Sequence, residues 1–87
     1  MQVKIFTKVN CPKCANAKLI LSELADRGLL SYEEISTTTQ EGMAEALKLN
    51  ILSVPVIVFE YAEKGASRML SGIITKEKII EALEGKQ

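Results

Sequence analysis

The sequence lacks histidine and tryptophan, and it has two cysteines, Cys11 and Cys14, among its 87 residues. A structural zinc ion is normally held by four ligands, most of them cysteine or histidine. A site made only of these residues from one chain is therefore excluded, and a metal could be held only between two copies or with carboxylates as further ligands. A secreted domain of this size usually has several cysteine pairs, so one closely spaced pair is more typical of a catalytic or metal-binding site in a reducing compartment.

The sequence also has no excess of charge and no long hydrophobic run. Its 11 basic and 11 acidic residues give a formal net charge of zero, which leaves no broad electrostatic surface for nucleic acid or an anionic membrane. No apolar run approaches the roughly 20 residues of a membrane-spanning helix, and residues 1–5 lack the layout of a signal peptide. We therefore expect a cytoplasmic, monomeric protein that binds neither nucleic acid nor membrane.

What the sequence does contain is the composition of an ordinary compact α/β domain. Hydrophobic residues make up 47% of the chain, and 87 residues are enough for one core and too few for two. Hydrophobic periodicity and turn residues predict the order β-α-β-α-β-β-α within a single domain, residues 1–87. Strands are predicted over residues 3–7, 29–36, 54–59 and 67–70, and helices over residues 12–27, 39–49 and 75–85.

The connections between these elements predict the sheet. A right-handed crossover through the first helix makes the first two strands parallel, and residues 62–66 are typical of a hairpin loop that pairs the last two strands antiparallel. We expect a mixed four-stranded sheet flanked by helices. In the second helix, Thr38 and Glu41 form a capping-box pattern and Gly42 is a weak point. Its predicted buried face consists of Met43, Ala46, Leu47 and Asn50.

The two cysteines lie where the first strand gives way to the first helix, with Pro12 and Lys13 between them. A thiol at the first turn of a helix faces unpaired N–H groups and the positive end of the helix dipole, and both favour its thiolate form. Pro12 fits the first helical position because its missing N–H is not needed there. Lys8 and Lys13 add positive charge nearby. Cys11 is therefore the candidate nucleophile.

The spacing of the pair suits thiol–disulfide exchange. That reaction needs a thiolate to attack a substrate sulfur and a second thiol to resolve the mixed disulfide that forms. Cys14 lies one helical turn beyond Cys11, on the side predicted to face the core, and is within reach to resolve it. The pattern predicts a dithiol oxidoreductase that needs neither a bound cofactor nor a metal.

Residues 6–14, Phe-Thr-Lys-Val-Asn-Cys-Pro-Lys-Cys, resemble the strand, lysine and C-P-x-C entrance of the glutaredoxin branch of the thioredoxin superfamily. The similarity covers nearly the whole chain, since Ser53-Val54-Pro55 resembles that family's T-V-P segment and Ser71-Gly72 its glycine turn. The resemblance implies a thioredoxin-like, glutaredoxin-type three-layer α/β fold. It also implies reduction of protein or glutathione mixed disulfides, with glutathione or thioredoxin reductase as the electron source.

The resemblance further implies roles for individual residues. In that family the proline of the T-V-P segment is cis and lies against the active-site cysteines, and the backbone of the preceding residue pairs with substrate. Pro55 and Val54 take these roles by position. Beside the catalytic pair Cys11 and Cys14, the predicted substrate-binding residues are Lys8, Pro12, Lys13, Val54, Pro55, Ser71 and Gly72.

The chain departs from the family pattern at positions that bear on the reductant. Many glutaredoxins have tyrosine before the second cysteine and a Gly-Gly-Asp turn that helps to hold glutathione, whereas this chain has Lys13 and Ser71-Gly72-Ile73. The latter is closer to the Ser-Gly-Phe turn of the small glutaredoxin-like hydrogen donors of ribonucleotide reductase, which thioredoxin reductase recharges. The sequence therefore leaves both reductants open. Ordinary thioredoxins carry Trp-Cys-Gly-Pro-Cys and a buried acidic residue in the preceding strand, and this sequence has neither.

A binding module is the rival interpretation of the same residues. In that case the shell would present Val54-Pro55 to a protein partner, with a metal held between two copies. Substitution of the cysteines distinguishes the two classes, because only an oxidoreductase would lose turnover.

Overall fold

The structure is a computed structural model that describes residues 1–61 and 67–85. Its elements follow the predicted order, although β2 and β3 begin two residues later than the sequence pattern predicts. The strands are β1 (Gln2–Thr7), β2 (Ser31–Ser36), β3 (Val56–Glu60) and β4 (Ser67–Ser71), and the helices are α1 (Pro12–Asp26), α2 (Gln40–Lys48) and α3 (Lys76–Leu83). The predicted hairpin loop, residues 62–66, lies outside the described residues.

The four strands form one mixed sheet in the order β2-β1-β3-β4. β1 pairs parallel with β2, with Ile5 opposite Glu34, and β3 pairs antiparallel with both β1 and β4. The predicted pairing is thus confirmed. β3 is central, and its first four residues are all buried, because helices cover both faces of the sheet there.

The core has two halves, one on each face of the sheet. Side chains that alternate along β1 and β3 separate into these halves: Ile5 and Ile57 face one way, while Phe6 and Val58 face the other. The first half is closed by α1 and α3 through Ala17, Leu21, Leu24, Ile79 and Ala82. The second half is closed by α2 through Ala46. This is the predicted three-layer arrangement.

The ends of α1 and α3 agree with the sequence signals. Gly28 follows α1 in the left-handed region, with φ of 77°, and the Thr75 hydroxyl accepts a hydrogen bond from Lys78 N–H at 3.2 Å as the N-cap of α3. The two helices are joined by Lys76, whose Nζ lies 3.0 Å from Glu23 Oε1. The hydrogen bond and positive charge of Lys76 lower the pKa of Glu23 below its ordinary value.

The second helix differs from the prediction in its cap and in its buried face. Its N-cap is Thr39, whose Oγ1 accepts from Gly42 N–H at 3.0 Å, and not the neighbouring Thr38. Gly42 and Ala46 are its buried residues, so of the predicted face only Ala46 was right; Met43, Leu47 and Asn50 are exposed. The physical reason is that the missing side chain of Gly42 lets α2 lie directly against the backbone carbonyl of Ser36 at the end of β2, so the side of the helix that carries Gly42 and Ala46 faces the sheet.

Glycine at position 42 therefore allows the close contact between α2 and β2. A substitution tests this role. A Cβ at this position would overlap the backbone carbonyl of Ser36. We expect Gly42→Ala to lower the free energy of unfolding by about 1–3 kcal/mol, although alanine is the better helix former by about 1 kcal/mol. Guanidinium unfolding followed by circular dichroism measures this. The matched control is Ala44→Gly, which makes the reverse change at an exposed position of the same helix. A higher free energy of unfolding for Gly42→Ala would contradict the packing argument.

Candidate active site

Cys11 is the N-cap residue of α1, with Pro12 as the first helical residue. Its extended backbone, φ −114° and ψ 100°, follows Asn10 in the left-handed region at φ 58°, which asparagine tolerates better than most residues. The Sγ atom of Cys11 accepts a hydrogen bond from Cys14 N–H at 3.2 Å. A sulfur atom thus takes the place of the usual N-cap oxygen, next to the positive end of the helix dipole.

Cys11 and Cys14 are joined by a disulfide bond, with their Cα atoms 5.2 Å apart. Their exposures differ: the side chain of Cys11 is half-buried, while Cys14 is 2% exposed. A substrate sulfur can therefore reach Cys11 from solvent. Cys14 is too buried for direct attack by a substrate and reacts only with Cys11. The sequence pattern predicted this arrangement.

A groove of about 650 Å³ opens beside the disulfide, and we call it the disulfide groove. It brings together four residues of the predicted site, namely Lys8, Cys11, Pro12 and Cys14, with others that sequence reasoning did not assign to it. The additional lining residues are Thr7, Val9, Asn10, Ala15, Lys18, Glu34 and Ser36.

Glu34 is the centre of a polar network on the wall of this groove. Its Oε2 accepts from the hydroxyl of Thr7 at 2.8 Å, and Lys18 Nζ lies 3.4 and 3.2 Å from its two carboxylate oxygens. Thr7 is 2% exposed, so the bond to Glu34 satisfies an otherwise buried hydroxyl. The Lys18–Glu34 ion pair is partly exposed and therefore stabilises the fold little, but it connects α1 to β2 on the wall of the disulfide groove.

Two patterns in the sequence could have located this network. Lys18 lies four residues after Cys14 and therefore on the same side of α1. Glu34 and Ser36 are two residues apart in β2, so their side chains lie on the same face of the sheet, the one that α1 covers. Neither pattern reveals that β2 pairs beside β1 in the register that brings Glu34 to Thr7.

Of the remaining predicted residues, Val54, Lys13 and Gly72 lie in two hollows, which share Lys8 and Pro12, respectively, with the disulfide groove. Pro55 and Ser71 line neither hollow. The first hollow, of about 220 Å³, is lined by Lys8, Thr37 and Val54 and by the 88% exposed Leu52; we call it the Leu52 hollow. Also part of its lining are Met43, Ala46, Ile51 and Ser53. Lys8 lines both this hollow and the disulfide groove, so it lies between them.

The second hollow, of about 340 Å³, is lined by Pro12, Lys13, Asn16, Gly72, Ile73 and Ile74, and we call it the Ile73 hollow because Ile73 is 73% exposed. Its lining joins the start of α1 to the turn before α3. Lys13 and Gly72, both predicted to bind substrate, therefore lie in the same hollow. Ser71 is exposed at the end of β4, opposite Val56.

The Val54–Pro55 peptide bond is cis, as the family resemblance implied. Pro55 is buried at the entrance to β3, and Val54 is half-buried on the wall of the Leu52 hollow. Of the predicted pair, only Val54 is therefore available at the surface, on a hollow that shares Lys8 with the disulfide groove.

The described part of the chain contains no cluster of three or more histidine, cysteine, aspartate or glutamate side chains placed to hold a metal ion. Among the helices within residues 1–61 and 67–85, none has the length and apolar character needed to cross a bilayer.

A mixed sheet between helices, a C-x-x-C disulfide at the start of α1 and a cis-proline at the start of β3 together define a thioredoxin-fold disulfide protein. The computed structure superposes on thioredoxin 1 from Thermosipho africanus with a TM-score of 0.79 over 98% of this chain and 92% of that chain, at 15% identity, which shows the fold alone. Residues 3–61 match the family model of glutaredoxin. The chain belongs to the glutaredoxin family of thiol–disulfide oxidoreductases.

Two archaeal proteins are similar in sequence. The chain is 37% identical over 59 residues to a probable thioredoxin of Archaeoglobus fulgidus, an alignment that covers 67% of this chain and 64% of that protein. It is 29% identical over 84 residues to a thioredoxin of Methanocaldococcus jannaschii, covering 97% of this chain and 93% of that protein. The alignment therefore spans less than two thirds of the first relative and nearly all of the second.

The difference in exposure between the cysteines predicts a difference in their reactivity. After reduction of the disulfide, we expect iodoacetamide to modify Cys11 at least tenfold faster than Cys14, because only Cys11 is both accessible and placed at the N-cap of α1. Quenched labelling followed by peptide mass spectrometry measures both rates. Equal rates in the folded protein would contradict the assignment, and unfolding in guanidinium, which exposes both thiols, is the control.

Proposed function

We propose that this chain is a dithiol electron carrier that reduces protein disulfides through Cys11 and Cys14 and is itself reduced by a protein of the thioredoxin reductase class. The observation that carries the proposal is the pairing of a half-buried Cys11 at the start of α1 with a buried Cys14 to which it is bonded. We place the protein in a reducing compartment, the cytoplasm, as a monomer.

The reaction has two exchange steps. In the reduced protein, the Cys11 thiolate attacks one substrate sulfur, the substrate S–S bond breaks, and the departing thiolate takes up a proton. Cys14 then loses its proton and attacks Cys11 Sγ, which restores the intramolecular disulfide and releases the second substrate thiol. Two electrons and two protons pass to the substrate, and the reductase returns two electrons to the disulfide.

The surface beside the disulfide favours a protein as substrate and as reductant. Ile73 and Leu52 are 73% and 88% exposed on the two flanking hollows, and exposed apolar surface of this kind is typical of sites where another protein docks. Both archaeal relatives carry the name thioredoxin, which also supports a protein reductase. A glutaredoxin-like hydrogen donor, for example to ribonucleotide reductase, is one form of this function.

Glutathione is the second candidate for the reductant, and two lysines favour it. Lys8 and Lys13 are exposed beside the disulfide, where they could pair with the carboxylates of the tripeptide. Against it, the residue after Gly72 is an exposed isoleucine and therefore offers glutathione no polar side chain.

Substitution of each cysteine tests the roles of the pair. We expect Cys11→Ser to lower the rate of insulin disulfide reduction at least 100-fold, because the nucleophile is lost. Cys14→Ser should accumulate a mixed disulfide between Cys11 and a substrate thiol, visible as an added mass that dithiothreitol removes. Circular dichroism checks that both variants are folded. If both variants matched the native rate, the redox proposal would fail and the binding-module interpretation would gain support.

The choice of reductant is tested by supplying NADPH with either thioredoxin reductase or glutathione plus glutathione reductase. We expect turnover at least tenfold faster with thioredoxin reductase. Ile73→Ser should raise the KM for that reductase several-fold and leave the folded stability unchanged, because the side chain is already exposed. Fast turnover with glutathione alone, unaffected by Ile73→Ser but weakened by Lys13→Gln, would instead establish the second candidate.

A further inference from the structure

Three exposed residues, Lys8, Val9 and Asn10, connect the end of β1 to Cys11. All three line the disulfide groove, and Lys8 also lines the Leu52 hollow. The chain reverses here through the left-handed conformation of Asn10. This segment leads directly into Cys11, the N-cap residue of α1. The position of the segment therefore determines the position of the Cys11 sulfur in the disulfide groove.

Two threonines from a distant part of the chain hold this segment on either side of Lys8. Thr37 donates to the carbonyl oxygen of Thr7 through its backbone N–H at 2.7 Å and through its hydroxyl at 2.8 Å. The hydroxyl of Thr38 accepts from Val9 N–H at 3.3 Å. The peptide groups that precede and follow Lys8 are thus both bonded to neighbouring residues of the β2–α2 connection, about 30 positions away in sequence.

The β2–α2 connection is itself fixed, so it can act as a support. Thr39 donates through its hydroxyl to the carbonyl of Ser36 at 2.9 Å while it caps α2, and Thr38 N–H donates to Ser36 Oγ at 3.2 Å. Gly42 is in close contact with the same Ser36 carbonyl. The threonines therefore link the reactive end of α1 to the start of α2.

We propose that Thr37 and Thr38 are positioning residues that hold the segment 8–10 and thereby set the accessibility of Cys11 and the placement of Lys8. They act through the backbone and do not react themselves. This inference rests on the proposed redox function, because it assigns to these residues a role in presenting the nucleophile.

Thr38→Val tests the proposal, since valine keeps the shape of threonine and removes the oxygen that accepts from Val9. We expect the rate of Cys11 alkylation by iodoacetamide in the reduced protein, and kcat/KM for insulin reduction, each to fall about fivefold, as expected for loss of one hydrogen bond. Thr38→Ser, which restores the hydroxyl, should recover at least half of both rates. Thr37→Val should have a smaller effect because its N–H bond to Thr7 remains.

A control separates positioning from a general loss of stability. Tyr61→Phe removes the 2.8 Å hydrogen bond from the Tyr61 hydroxyl to the carbonyl of Ala82, beyond the end of β3 that is away from Pro55, and should lower Tm by at least as much as Thr38→Val while leaving Cys11 alkylation unchanged. Alkylation and kcat/KM that stay native in Thr38→Val, or that fall equally in Tyr61→Phe, would overturn the proposal. Failure of the native protein to reduce insulin would instead count against the proposed function, and alkylation would still test the positioning role.

Discussion

The hydrogen bond from Cys14 N–H to Cys11 Sγ is the interaction on which the site depends. An N-cap side chain accepts from the N–H group two or three positions into the helix, and Cys14 is the third helical residue after the cap. The C-x-x-C spacing is therefore the spacing of a cap and its donor. The same three-residue step that lets sulfur stabilise the start of α1 also brings the second sulfur within bonding distance of the first.

The sheet supplies what this local geometry lacks. β1 delivers the chain to the start of α1, and its pairing with β2 places Glu34 beneath the helix, where Thr7 and Lys18 meet it. β3 begins directly after the cis-proline. The disulfide groove thus combines residues of β1, β2 and α1, and the register of the two strands determines which of their residues meet.

Local signals in the sequence predicted much of this. The order of elements, the central β3, the caps Thr75 and Gly28, and the cysteine pair all follow from short-range chemistry: periodicity, capping and spacing. The errors lie where one element meets another. Thr38 and Thr39 are equivalent as candidate caps until the position of Ser36 is known, and the face of α2 depends on how closely Gly42 can approach β2. The partners of Glu34 could not be read from the sequence for the same reason, since strand register is a long-range property.

The unequal exposure of the two sulfurs bears on how the protein withstands peroxide. An accessible, readily ionised thiol is the first to be converted to sulfenic acid, and further oxidation to sulfinic acid is in most proteins irreversible. Here the oxidised sulfur of Cys11 would stand within bonding distance of a thiol that bulk solvent does not reach. Condensation of the two expels water and returns the disulfide, so the burial of Cys14 gives the reactive sulfur a repair partner that is itself shielded from damage.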